Sequence, residues 1–133
     1  MIRGHARRRT RKGSALVELA LCLPLLTLLV LGSIELSNFI FLKQSMTAAA
    51  YEASREAVRP TATDARAQAV ADAIFTGREL TGATLSISPT ATGTERGTLI
   101  TVTASAPSDA NRIVMPKFIE GLAATGVCIM AKE

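Results

Sequence analysis

The 133-residue chain has no tryptophan, one tyrosine, one histidine and two cysteines, and each scarcity removes a class of function. The histidine, His5, lies in an arginine-rich N-terminal tract, so the chain beyond it can form no Ser-His-Asp triad, Cys-His pair or histidine-based metal site. With 4% aromatic residues and Tyr51 as the one tyrosine, stacking platforms for sugars or single-stranded nucleic acid are largely missing. Cys22 falls inside an apolar run and Cys128 near the C-terminus, which predicts two separate thiols rather than a disulfide framework. Gly93-Thr94-Glu95-Arg96-Gly97 lacks the lysine and spacing of a phosphate-binding loop and reads as turn chemistry. The carboxylates Asp64, Asp72, Glu79, Glu95, Asp109 and Glu120 are scattered over helix and loop positions, the pattern of a solvated surface rather than a glycosidase-like pair. No catalytic residue, cofactor or metal is expected, and the chain is expected not to be an enzyme.

What the chain has in quantity is aliphatic and unevenly placed. Hydrophobic residues make up 48% of it. From Leu19 to Ile34 there are 16 consecutive residues without a charge, and between Leu19 and Leu42 the one charge is Glu35. The net charge of +4 is equally local, since Arg3, Arg7, Arg8, Arg9, Arg11 and Lys12 supply 6 of the 15 basic residues, leaving 9 against 11 acidic ones. A basic tract directly before a long apolar run marks the cytoplasmic flank of a membrane helix rather than a nucleic-acid patch. Residues 14–42, as a helix, would be about 44 Å long against a hydrocarbon core of about 30 Å, so they span a membrane with length to spare. A cleaved signal peptide with a site near Val30 and Gly32 fits poorly, because the apolar character resumes in Phe39, Ile40, Phe41 and Leu42. A lipoprotein signal ending at Cys22 fits no better, because Leu21 is bulky where a small residue is needed.

The helix is expected to continue beyond the membrane. Gln44 to Arg59 contains neither glycine nor proline, and Met46, Ala49, Ala50, Ala53 and Ala57 fall on one stripe of mostly small residues. Lys43, Glu52, Arg55, Glu56 and Arg59 occupy the other faces, and Pro60 ends the rod. A second helix is predicted over Asp64 to Thr76, with Thr63 as N-cap, Ala67, Val70 and Ile74 on the apolar face, and Gly77 as its stop. The period then changes to two around Leu85 and Ile87, and again at Ile100, Val102 and Ala104, which predicts two half-buried strands joined by an exposed loop over Pro89 to Gly97. An irregular stretch from Pro107 to Gly121, with Pro116, Phe118 and Ile119, leads to a last strand over Gly126 to Ala131. The expected fold class is α+β: a long N-terminal membrane-spanning helix running into a small domain with one short helix and a three-stranded antiparallel sheet.

Function is carried at the junction of basic tract and apolar helix, Lys12-Gly13-Ser14-Ala15-Leu16-Val17-Glu18. A chain beginning at Ser14 would place its terminal amine about one helical turn from the Glu18 carboxylate. A carboxylate in a membrane helix costs about 2.5 to 3.5 kcal/mol on insertion scales, a cost reduced when an amine of the same or a neighbouring chain compensates it. Glu18 could thereby set the axial register between packed subunits; the plainer alternative is a carboxylate reaching the headgroups near Lys12. Pro24 removes a helical hydrogen bond, which either kinks or locally melts the helix or is simply tolerated, as membrane helices allow. Glu35, about 26 Å beyond Glu18, is expected at the outer interface, solvated or in an inter-subunit contact.

This junction resembles the type IV prepilin processing site, in which a membrane peptidase cuts after a glycine and a glutamate is the fifth residue of the product; counted from Ser14, Glu18 is the fifth. The resemblance extends to the TadE-like minor pilins or pseudopilins of tight-adherence (Tad) pili. It runs through Val17-Glu18-Leu19-Ala20, Leu23-Pro24-Leu25-Leu26, Gly32-Ser33-Ile34-Glu35 and Ala53-Ser54-Arg55-Glu56-Ala57-Val58-Arg59. It resumes at Ile100-Thr101-Val102-Thr103 and in the tail Met130-Ala131-Lys132-Glu133. It implies a leader over 1–13 that is removed, a transmembrane helix over 14–42, and an extracytoplasmic α+β domain over 43–133 that includes the extension 43–59. It implies processing and assembly roles for Gly13, Ser14 and Glu18, with Pro24 and Glu35 as secondary assembly candidates. It also implies partners among the prepilin peptidase, other pilin subunits, the inner-membrane assembly platform and membrane lipid, with no nucleic acid. The competing expectation is a single-pass, signal-anchored protein with a small extracytoplasmic interaction domain and no filament role.

Overall fold

A computed structural model of the chain describes residues 10–113 and 121–133. Arg3, His5, Arg7, Arg8 and Arg9 of the basic tract, and Pro116, Phe118, Ile119 and Glu120 of the second connection, lie outside the described residues. Helix α1 (Thr10–Ala57) is one continuous element of 48 residues, about 72 Å long. It passes through Pro24 without interruption. Its hydroxyl residues turn inward on their own backbone: Thr27 Oγ1 donates to the Leu23 carbonyl at 2.8 Å, and Ser33, Ser37 and Ser45 donate likewise to Leu29, Ser33 and Phe41. Polar groups in an apolar helix are thereby satisfied without water. The helix ends ahead of Pro60, two residues before the expected Arg59.

Helix α2 (Asp64–Gly77) starts where its cap predicts, with Thr63 Oγ1 accepting from the Arg66 N–H. Its buried face is Ala67, Ala71 and Phe75; Val70 and Ile74 are half-buried, so the apolar stripe is rotated from the expected one. Gly77 is the last helical residue rather than the stop, and the left-handed residue is Glu79, with φ +54°. The Leu80 N–H returns to the Phe75 carbonyl at 2.9 Å and closes that turn.

Strands β1 (Thr84–Ser88), β2 (Leu99–Pro107) and β3 (Ala123–Ala131) form an antiparallel sheet in sequence order, with Ile87 opposite Val102 and Val102 opposite Cys128. β3 begins three residues before the expected Gly126 because Ser105, Ala106 and Pro107 continue the pairing, and a short 3₁₀ turn (Asp109–Asn111) follows β2. The β1–β2 connection is exposed except at its base, where Ala91 is fully buried and its N–H donates to Asp64 Oδ1. The sheet covers one face of α1 and α2. Met46, Ala49, Ala50, Ala53 and Ala57 of α1 are fully buried against Ile100, Val102 and Ala104 of β2 and Ala124 of β3, so the small-residue stripe seen in the sequence is the floor of the core.

Candidate functional site: the exposed half of helix α1 and its junction with the domain

Helix α1 has two regimes. From Gly13 to Val30 every residue is exposed, including Leu16, Leu19, Leu21, Leu25 and Leu28; from Leu42 onward one face is buried in the domain. Such an exposed aliphatic surface has no stable place in water. Among the described residues α1 is the one helix long and apolar enough to cross a membrane, the pattern of a single-pass membrane protein. Gly13, Ser14, Glu18 and Pro24 all lie on this exposed half, Gly13 to Glu18 within its first turns. A Cβ added at Gly13 would meet nothing within 4 Å, so nothing among the described residues requires a glycine there.

Glu35 is not the free surface carboxylate that was one of its two expected settings. It is 5% exposed, so the solvated carboxylate read from the sequence does not hold. Arg112, on the connection after β2, brings its Nε to 3.8 Å from Glu35 Oε1 and its Nη2 to 2.6 Å from Asp109 Oδ1. The contact with Glu35 is a charge pair rather than a hydrogen bond, and Glu35 Oε2 and Arg112 Nε have no hydrogen-bond partner in the described residues. The same corner is tied by Asn38 Nδ2 to the Asn111 carbonyl at 2.7 Å, and by Asn111 to Thr81 in both directions, at 2.8 and 2.9 Å. The domain is thus fastened to α1 where the exposed half ends.

A second fastening lies at the C-terminus of α1. The Lys132 ammonium, 6% exposed, donates to the carbonyls of Ala57, Arg59 and Ala91 at 3.0, 2.7 and 3.1 Å. A cation here satisfies carbonyls that a helix end leaves unpaired and opposes the negative end of its dipole. Glu56, expected on a face other than the small-residue stripe, is buried between Arg59, at 2.9 Å, and Arg66, whose Nε stands 3.2 Å from Oε1 as a charge pair without hydrogen-bond alignment. Sequence reasoning missed Arg112 and Lys132 as anchors. The signal in hand was Lys132 within the resemblance of the tail. Cys22 is exposed on the apolar half, Cys128 is half-buried in β3, and both are free thiols. Among the described residues no three of His, Cys, Asp and Glu are grouped to hold a metal ion.

Compared with known families, residues 13–55 match the model of the TadE-like protein family. No curated protein and no solved structure matches the chain. The matched stretch is about a third of the chain and runs from the glycine ahead of the apolar helix to the turns that enter the domain core. On that stretch the chain is similar to the TadE-like proteins, a family associated with the Tad pilus.

Proposed function

We propose that the chain is a structural subunit of the minor pilin or pseudopilin kind, serving assembly of a Tad-type adhesive pilus and carrying no catalysis of its own. It is made as a precursor, cut after Gly13 by a prepilin peptidase, and held in the inner membrane by residues 14–42 with the domain on the extracytoplasmic side. The observation that carries this reading is that the family match begins at Gly13 itself, with Glu18 as fifth residue after it on the exposed half of α1. That no described residue approaches Gly13 within 4 Å of an added Cβ supports a glycine selected by an outside agent such as a peptidase. Glu18, exposed and without an ion-pair partner among the described residues, is suited to meet the terminal amine of Ser14 in its own or a neighbouring subunit, since an uncompensated carboxylate is costly in lipid. Packing of the exposed aliphatic face against other pilin subunits and the assembly platform follows from the same surface.

N-terminal sequencing of the membrane-extracted protein tests the reading. The expected mature chain starts at Ser14 in the natural protein and in Glu18→Ala alike, while Glu18→Ala enters pili poorly. A chain that keeps Met1, or one that starts near Ser33, overturns the processing step; normal incorporation of Glu18→Ala overturns the register role.

A further inference from the structure

β3 is the longer of the two edge strands of the sheet, and nothing in its sequence blunts it. From Ala123 to Ala131 it carries neither charge nor proline, whereas β1 at the other edge has five residues and is followed by Pro89. Proteins usually guard such an edge, because its free N–H and C=O groups template a further strand. The phase of the ladder shows which groups these are. Pairing with β2 is unbroken from Leu99 opposite Ala131 to Pro107 opposite Ala123. Just outside it, the Lys132 N–H donates to the Thr98 carbonyl and the Ser108 N–H to the Leu122 carbonyl, both at 2.9 Å. Since antiparallel bonding alternates, Gly126, Cys128 and Met130 bond to β2, while Thr125, Val127 and Ile129 direct N–H and C=O outward. Among the described residues no hydrogen bond reaches these outward groups.

Beside this edge lies an uncovered groove. β3 climbs α1 in the same direction: Gly126 lies against the Met46 carbonyl and the Thr47 nitrogen, Met130 Sδ is 3.5 Å from Ser54 Oγ, and the Glu133 N–H donates to the Val58 carbonyl at 2.9 Å. Helix α2 holds the opposite flank of α1, through Arg78 on Ser45 and Arg66 on Glu56. Thr47 belongs as well to a groove of about 760 Å³ on the β3 flank, lined with Leu36, Phe39, Ile40, Ala48 and Tyr51. Leu36, Ile40 and Tyr51 are exposed there, and Cys128 and Met130 on the inner face of β3 are only half-buried, so the core is open on this side. A strand added to β3 would lie over the groove, with every second side chain turned into it. We infer that edge and groove together form a docking site for an extended segment of a partner protein, uncharged and with apolar residues at alternate positions. Main-chain bonds to Thr125, Val127 and Ile129 hold it, and the groove selects its side chains. Lys43, the one charged residue lining the groove, excludes a cation from it. Two copies anchored in one membrane cannot pair β3 antiparallel with β3, because one α1 would then point against the other. The site does not depend on the pilus reading, so its failure leaves that reading standing.

Amide exchange of the full chain in detergent micelles, followed by NMR, tests the site. In the free chain the N–H groups of Thr125, Val127 and Ile129 are expected to exchange fast, and those of Gly126, Cys128 and Met130 slowly. The probe is a capped peptide of alternating threonine and valine with a glutamate at each end, matched in length to β3. It is expected to slow the three outward N–H groups about tenfold, the effect of one hydrogen bond. It also changes the fluorescence of Tyr51, the one tyrosine in a chain without tryptophan. The same peptide with serine in place of valine binds about tenfold more weakly, because the buried valine is lost. Val127→Pro deletes an outward N–H and no bond to β2, and Tyr51→Ser empties part of the groove. Each raises the Kd about tenfold while Gly126 and Cys128 stay protected. No slowing by the valine peptide overturns the site, as does equal binding of the serine peptide or an unchanged Kd in either variant. Slow exchange of the outward groups in the free chain overturns it too, since the edge is then covered by this chain or by a second copy.

Discussion

A Cβ on Gly126 would stand 2.4 Å from the carbonyl carbon of Met46 and 2.5 Å from its oxygen and from the Thr47 nitrogen. All three are backbone atoms of α1, so no side-chain rotation can make room. Glycine in a strand interior usually marks such a close approach of another backbone, and here it lets β3 lie directly on the helix. Gly126→Ala is therefore expected to push α1 off the sheet at the centre of the core and to cost about 3 kcal/mol, the upper end for overpacking. Thermal melts of the detergent-extracted protein check this; a melting temperature within a degree or two of the natural protein's would mean that helix and strand are not in backbone contact. Lys132 answers a different need at the same scale. Three carbonyls from two parts of the chain converge on one ammonium from a third, which no spacing along the chain announces, because the Ala57 to Arg59 turn, Ala91 and Lys132 are brought together only by folding. Glu35 and Arg112 were hidden for the same reason, separated by most of the domain in sequence and 3.8 Å apart in space.

At the scale of elements the chain was far more legible, and the reason is periodicity. Met46, Ala49, Ala50, Ala53 and Ala57 announce a helical stripe before any contact is known, and all five are fully buried. The alternation at Ile100, Val102 and Ala104 announces the inner face of β2, and all three are buried too. Where the periodic signal is weak the elements shifted: the face of α2 turned toward Ala71 and Phe75, and β3 gained Ala123 to Thr125, whose small residues give little alternation. The candidate processing site was legible as a local run of residues, whereas the rim around Glu35 needed the fold. The two regimes of α1 make a contrast that can be measured within one helix. Ala53→Leu places three extra carbons in a closed interface and is expected to destabilise the domain by about 1 to 3 kcal/mol. Leu28→Ala removes as much from an exposed position and is expected to leave the melting of the domain unchanged to about 0.5 kcal/mol. Equal effects of the two substitutions would contradict the division of α1 into a core half and an exposed half.

At the scale of the whole molecule, the core is built on α1. Leu42, Met46, Ala49, Ala50, Ala53 and Ala57 all belong to it, and Met46 and Ser54 are two of the four largest fully buried side chains. What remains in α2 and the sheet is mainly alanine with Phe75, Ile100 and Val102, little apolar surface for a domain of this size, and small domains are marginal even with a full core. The sheet and α2 have no alternative surface to close on, because their inner faces meet the helix rather than each other. A chain beginning at Thr63 is therefore expected to give no cooperative thermal transition, while one beginning at Leu36, which keeps Asn38 and the whole buried stripe, is expected to melt cooperatively. For the proposed filament role the consequence is mechanical: the domain cannot swing free of α1 without unfolding, so any displacement of the exposed half of α1 is carried directly to the exposed outer face of the sheet, where Leu99, Val127 and Ile129 stand uncovered. Circular dichroism melts of the two shortened chains decide the point, and a cooperative transition in the one that starts at Thr63 would separate domain from helix and remove this rigid coupling.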